Sequence, residues 1–255
     1  MITGEILEAL RGYAQSLERN ITFVLAEGKH EKREELFGFL TDFCSVSDRL
    51  TLVERDDPRL RSPISFTLEA DGEPTGIVFS GIPGGHEFNS LALAMLQSGG
   101  VALNLDEGIQ DMVRRLDEPA HFEVVVSLSC QNCPDVVQTL NQFAQVNELV
   151  SAEMLDGGLF PDLVAERDIQ GVPSVYLNGE LFANGKVDPA RLVEKLMDQF
   201  PDIAANEAFE ELPEQDVTVI GGGPAGISAA IYSARKGLAA TLIAETLGGQ
   251  VKDTQ

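Results

Sequence analysis

The chain has 255 residues, 44% of them hydrophobic, and a formal net charge of −23 from 41 acidic against 18 basic side chains. No apolar run reaches the roughly 18 residues that a membrane span needs, and the negative charge repels phosphate backbones and anionic lipid, so neither nucleic acid nor membrane is expected as a partner. Three cysteines are too few for a disulfide scaffold and fit a reducing, cytoplasmic compartment.

The first segment, "MITGEILEALRGYAQ", has an acid early and no cationic flank, so it does not read as a secretory signal. Ile6, Leu7, Leu10, Tyr13 and Leu17 recur at helical spacing instead. The strand-like "ITFVLAEG" follows. A helix then fits "EKREELFGFLTDFC", with Leu36, Phe39, Leu40 and Phe43 on one face. "RLTLVE" reads as a strand, and "RSPISFTLEADGEPTGIVFSG" as two strands around the turn pair Asp71-Gly72. "HEFNSLALAMLQSG" is a helix stopped by Gly99 and Gly100. The connection "LNLDEGIQDMVRRLDEPA" has helical spacing at Ile109, Met112, Val113 and Leu116, and is expected to pack across a junction.

The same order then returns. "HFEVVVSLS" is a strand, "PDVVQTLNQFAQ" a helix with Val136, Val137, Leu140, Phe143 and Ala144 inward, "ELVSAEML" a strand and "PDLVAERD" a short helix. "GVPSVYLNGELFANG" gives two strands turning at Asn178-Gly179, and "DPARLVEKLMDQF" a closing helix with Asp188 as N-cap and Pro189 in its first turn. "SPISF" aligns with "VPSVY", so Pro63 matches Pro173. Residues 1–117 and 118–199 therefore read as two copies of one α/β unit. Residues 200–215, with two prolines and many acids, read as a linker, in part helical. Residues 216–255 give strand, glycine turn, helix and strand.

Two stretches carry chemistry. "SLSCQNCPDVV" sets Cys130 and Cys133 where a strand ends and a helix begins. Structural zinc needs about four ligands; there is no second cysteine pair, and His30, His86 and His121 have no ligand spacing, so no metal is expected. A purely structural disulfide is disfavoured in the cytosol. Redox exchange remains: a helix N-terminus favours thiolate, the attacking species. Cys130 at the tip would attack, and Cys133, one turn in, would resolve the mixed disulfide. Cys44 reads as a buried small hydrophobe. The second stretch, "VIGGGPAGISAA", holds G-x-G-x-x-G as Gly221, Gly223 and Gly226, after a strand and opening a helix, with Glu245 at the end of the next strand. That is a dinucleotide fingerprint: a tight turn, close approach to pyrophosphate, close helix packing, and an acid for the ribose hydroxyls.

Strand, C-x-x-C, helix and a Val-Pro dipeptide before a hairpin resemble the thioredoxin fold. That resemblance implies a cis bond before Pro173, laying the Val172 backbone beside the cysteine pair. The first copy resembles the same fold without a redox centre. The wording "GGGPAG…AAIYSARKGL…GGQ" resembles the FAD segment of thioredoxin-reductase-like flavoproteins, with Gly221, Gly223, Pro224, Ala225, Gly226, Glu245, Gly249 and Gln250 as its cofactor-binding residues. Together with "GHEF" and "GVPSVYLNG", the chain resembles the flavoprotein family of the alkyl hydroperoxide reductases. The implied fold class is α/β, tandem thioredoxin-like folds followed by an incomplete Rossmann-like βαβ segment. The family continues beyond Gln255, so the chain is expected to be part of a longer one and not to hold FAD by itself.

The resemblance implies a relay from NADH through FAD and a second dithiol to Cys130–Cys133, and on to a partner peroxiredoxin that reduces alkyl hydroperoxides and hydrogen peroxide; the full-length form would be a homodimer. Glu87, in "GHEF", would sit near Cys133 and shuttle a proton if the copies pack face to face, or else be an acid favoured by a helix dipole. Two other functions stay open: a non-enzymatic docking module, and a general protein disulfide reductase. The acidic surface reads as solubility, including in high salt, or as steering toward a basic partner patch.

Overall fold

A computed structural model describes residues 2–200, 214–244 and 248, in two compact units, Met1–Asn206 and Glu207–Gln255. The first unit runs α1 (Gly4–Ala14), β1 (Ile21–Ala26), α2 (Arg33–Cys44), β2 (Leu50–Arg55), β3 (Ser65–Ala70), β4 (Glu73–Ser80), a 3-10 turn (Gly85–Glu87), α3 (Phe88–Ser98) and α4 (Glu107–Arg114). It continues with β5 (Ala120–Val126), α5 (Cys133–Val146), β6 (Val150–Asp156), α6 (Pro161–Glu166), β7 (Ser174–Leu177), β8 (Glu180–Asn184) and α7 (Pro189–Gln199).

Eight strands form one sheet in the order β2-β1-β3-β4-β6-β5-β7-β8. Each half is built alike: β1 runs parallel to β2 and β5 to β6, while β3 and β7 return antiparallel on the other side. The two copies read from the sequence are thus two thioredoxin-like folds, joined edge to edge where β4 pairs in parallel with β6 and Phe79 lies opposite Met154. Close approach at that seam needs Gly76: its φ is +74°, and an added Cβ would lie 2.7 Å from Val150 O.

The strands are apolar on both faces because both are covered. In β5, Phe122, Val124 and Val126 join the core under the helices, while Val125 joins a smaller cluster with Leu155 and Tyr176 on the opposite face. From α2, Leu36, Phe39, Leu40 and Phe43 pack down, with Phe43 edge-on to Phe23 at 5.5 Å. From α5, Val136, Val137, Leu140 and Phe143 do the same, and Phe143 meets Phe122 at 6.5 Å. Each such side chain stabilises the fold by about 1.5–3 kcal/mol through burial. At the N-terminus of α7, Asp188 accepts from Arg191 N (2.9 Å), as its N-cap position predicts.

One expectation is corrected: the halves lie side by side in one sheet rather than face to face. α4, at the end of the first half, packs across the junction on α5 and α7 of the second, as its spacing suggested, and Asn147 Nδ2 holds it there by donating to Val113 O (2.9 Å) and Leu116 O (2.8 Å). The main bridging helix contact is α3 on α5. A second bridge crosses on the other face. Arg61, from the first half, donates to both oxygens of Glu153 (2.7 and 2.6 Å) and to Glu123. Glu123 and Glu153 are register partners in β5 and β6. Arg167 holds the other Glu123 oxygen at 2.8 Å. Desolvation works against ionising Glu123, but the two guanidinium groups prevail and hold its carboxyl below the ordinary range.

In the second unit, β9 (Val217–Ile220) and β10 (Ala240–Ile243) pair in parallel around a helix, α8 (Pro224–Arg235). Residues 201–213, which include most of the expected linker, lie outside the described residues.

Candidate functional site

The end of β5 and the start of α5 build the site. Ser127–Asn132 form the loop, Cys130 N donates to Ser127 O (2.9 Å), and α5 begins at Cys133 with Pro134 in its first turn. Proline fits there because a first-turn N–H has no partner within the helix. Cys130 and Cys133 are disulfide-bonded, with Cα atoms 5.6 Å apart. Cys133 is fully buried and Cys130 half-buried, so Cys130 is the more accessible sulfur. The free N–H groups of the first turn face the pair and favour negative charge on sulfur. Asp135, also in that turn, is paired with Lys186 at 3.3 Å.

The Val172–Pro173 bond is cis, and Val172 O lies 3.8 Å from Cys130 Sγ. That is a packing contact, since a disulfide sulfur has no hydrogen to donate. Ser174 Oγ, beside Gly171 O (2.7 Å) and Asn184 Oδ1 (2.9 Å), steadies the loop. A cleft of about 420 Å³ runs along it, floored by Gln170, Val172, Ser174 and Tyr176 and edged by the exposed Leu181.

Glu87 is fully buried in the 3-10 turn. That turn packs on α5 and is tied to the redox loop by His86 N donating to Leu128 O (3.2 Å). Glu87 Oε2 accepts from Ser90 Oγ (2.7 Å), and Ser90 Oγ accepts from Gln138 Nε2 of α5 (3.3 Å). Glu87 Oε1 is buried with no partner. Burial pushes the carboxyl up to about 7, against the pull of the Ser90 hydroxyl. His86 itself is exposed. The sequence singled out Glu87 but neither Ser90 nor Gln138. The available signal was a serine three residues after the acid, close to one helical turn on.

In the first half, the corresponding loop ends in His30 and Arg33, and α2 begins at Arg33. Arg33 donates to Ala26 O (2.7 Å) and Glu54 (2.6 Å). Cys44 is half-buried rather than fully buried, and burial pushes its thiol up to about 12. Among the described residues, His121, Glu123 and Glu153 form a cluster of metal-ligand type. Both carboxylates there are already neutralised by Arg61 and Arg167, so a cation would meet two guanidinium groups.

The glycine turn suits a pyrophosphate. A Cβ at Gly226 would lie 1.9 Å from Gly221 O, so only glycine lets α8 pack this close, while a Cβ at Gly223 would meet open space. Pro224 and Ala225 start α8, whose first-turn N–H groups are suited to an anion. Glu245, Gly249 and Gln250 lie outside the described residues.

Comparisons with known proteins agree with this geometry. A thioredoxin domain family matches residues 120–198, and a family described as glucose inhibited division protein A matches 216–252. The F-type subunit of alkyl hydroperoxide reductase from Staphylococcus aureus is 40% identical over 254 residues, covering 100% of this chain and 48% of the relative. The chain thus spans about half the length of the curated relatives it matches. The solved N-terminal domain of alkyl hydroperoxide reductase AhpF from Enterococcus faecalis is 33% identical, with a TM-score of 0.72, over 77% of this chain and 100% of that one. A protein disulfide oxidoreductase from Aeropyrum pernix, 19% identical with a TM-score of 0.66 over 75% of this chain and 90% of that one, shares the fold.

Proposed function

The chain belongs to the AhpF family of alkyl hydroperoxide reductases, and from that premise we propose that it is the thiol–disulfide exchange arm of an NADH-dependent flavoprotein that reduces a peroxiredoxin. In this reading residues 1–117 and 118–199 are the two thioredoxin-like repeats, 200–215 the linker, and 216–255 the opening of the FAD domain. The observation that carries the reading is the pair itself: half-buried Cys130 and fully buried Cys133 at a helix N-terminus, beside the cis Val172–Pro173 bond.

Cys130 thiolate attacks the partner's disulfide. A mixed disulfide forms, and one partner thiolate leaves. Cys133 then gives its proton to Glu87 and attacks Cys130 Sγ, closing the intramolecular disulfide and releasing the second partner thiolate. Pro173 holds the Val172 backbone against the pair, where it lines the approach of the partner's sulfur. Gly221, Gly223, Pro224, Ala225 and Gly226 would hold the pyrophosphate of FAD, with Glu245, Gly249 and Gln250 completing the site. FAD held there would supply electrons from NADH, which a second dithiol would carry to the Cys130–Cys133 disulfide. The linker keeps the arm at high effective concentration near the flavin domain. The partner is the peroxiredoxin component of the reductase, which reduces alkyl hydroperoxides and hydrogen peroxide; the whole protein is a homodimer and works in the cytoplasm. No helix among the described residues is long and apolar enough to cross a membrane.

The test is to reduce the chain with dithiothreitol, remove the reductant, and compare its reduction of peroxiredoxin disulfide with that of insulin. Strong preference for the peroxiredoxin supports this function. Equal rates favour a general disulfide reductase. Absence of a reversible two-electron couple at roughly −200 to −270 mV favours a docking module.

A further inference from the structure

We propose that Ser90 and Gln138 form a positioning relay that aims Glu87 at the buried thiol of Cys133, so that the first half of the sheet sets proton transfer in the second. The proposal rests on the reading of Glu87 as the acceptor of the Cys133 proton.

The direction of each hydrogen bond carries the argument. An amide nitrogen can only donate, so Gln138 Nε2 occupies a lone pair of Ser90 Oγ (3.3 Å). The Ser90 hydroxyl hydrogen then points to Glu87 Oε2 at 2.7 Å. One carboxylate oxygen is thereby engaged. The other, Oε1, is buried with no partner, in the turn that packs on α5, the helix that begins at Cys133. A free oxygen on an otherwise anchored carboxylate is the arrangement a proton acceptor needs.

The relay also spans the junction. Glu87 and Ser90 come from the 3-10 turn and α3 of the first half, and Gln138 from α5 of the second. It closes only because α3 packs on α5. The hydroxyl stabilises the ionised carboxylate, against burial, which favours the neutral acid. No charged side chain from the turn, α3, α5 or the redox loop opposes either effect. His86 is exposed, and Asp135 is paired with Lys186.

The step served is the closing one. The Cys133 S–H bond breaks, its proton goes to Glu87 Oε1, and the sulfur electron pair forms the bond to Cys130 Sγ. The Cys130–partner S–S bond breaks, and the partner leaves as thiolate. When the disulfide is next reduced by an incoming dithiol, Cys133 leaves as thiolate and the same proton returns to it from Glu87.

Two measurements on the whole 255-residue chain test this. Carboxyl carbon-13 NMR follows the Glu87 titration in the disulfide form. The pH dependence of release of the second thionitrobenzoate, after Cys130 attacks 5,5′-dithiobis(2-nitrobenzoate), follows the closing step. Ser90→Ala should move both midpoints up by roughly one pH unit, the scale of one lost hydrogen bond to a charged group. Gln138→Leu, at a half-buried position, should move them the same way by less. Glu87→Gln should remove the limb from the closing profile. If Glu87→Gln leaves that limb in place, the Glu87 reading fails and the relay with it. If Glu87→Gln removes the limb but Gln138→Leu and Ser90→Ala leave the midpoints unmoved, the relay alone is wrong.

Discussion

The two halves of the sheet share a strand order and differ at one loop. Where the second half has Cys130 and Cys133 at the start of α5, the first has His30 and Arg33 at the start of α2. Pro173 follows a cis bond, and among the described residues that bond is the single cis peptide, so its counterpart Pro63 is trans. Pro63 nonetheless stays against its loop: a Cβ at Gly28 would lie 2.6 Å from Pro63 Cγ. Arg33 fills the site of the second cysteine and ties the loop to Glu54 and Ala26 O. The difference separates what the fold requires from what the chemistry requires. The apolar faces of β1, β3 and β4 and of α2 preserve the first half as a folded body. Sulfur and a backbone carbonyl beside it are needed only where electrons move. The first half also places Glu87 and Ser90, from the 3-10 turn and the first turn of α3, against α5 of the second.

The comparison breaks most severely if the halves are separated. Residues 118–200 alone would expose the edge of β6 that β4 covers and the side of α5 that α3 covers. That fragment is expected to lose cooperative thermal unfolding, or to reduce the peroxiredoxin far more slowly than the whole chain. A fragment that folds stably and works at the full rate would leave the first half without a role in exchange.

A smaller cut tests the junction on the other face. Arg61→Ala leaves Glu123 and Glu153, which are 5% and 3% exposed in their side chains, short of one cation. Removing one partner of a buried pair costs about 3 kcal/mol or more, readable as a lower midpoint in urea. A double change, Arg61→Met with Glu153→Gln, should recover most of that loss.

The mildest test concerns pH. The Glu87 carboxyl is pushed from 4.5 up to about 7 by burial. Below pH 4.5 both folded and unfolded chains carry the proton, and burial costs nothing through this group. As pH rises toward 7 the unfolded chain ionises first, so this group's stability contribution falls across that window and then levels. Glu87→Gln removes the slope. The variant should be more stable than the parent at pH 8 by roughly 3 kcal/mol and indistinguishable at pH 4, while its closing step is slow at every pH.

Much of the fold was legible because its signals are local. Period-two apolar runs marked the strands, Asp71-Gly72 and Asn178-Gly179 marked the hairpin turns, and Asp188-Pro189 marked the start of α7. Cys130, Cys133 and Pro173 stood out by residue type and spacing. The edge-to-edge join was not legible, because β4 and β6 are far apart in the chain and any apolar edge strand looks alike. Arg61 gave no signal, since its partners Glu123 and Glu153 lie 62 and 92 residues away. Gln138 lies on the polar side of an amphipathic helix, where a solvent role is the default reading; only the packing of α3 turns it toward Ser90. The helical spacing in α4 was real, but periodicity gives a buried face without naming the surface it meets.

The distinction between an attacking and a resolving sulfur rests on Cys130 being reachable and Cys133 fully buried. Mixed-disulfide trapping measures it directly. The Cys133→Ser and Cys130→Ser variants would each be reduced, mixed with peroxiredoxin in its disulfide form, and separated on a non-reducing gel, with the joined cysteine identified by peptide mass. Cys133→Ser should accumulate a covalent adduct through Cys130, and Cys130→Ser should give none. An adduct formed through Cys133 in the Cys130→Ser variant, with none in Cys133→Ser, would reverse the roles of the two sulfurs.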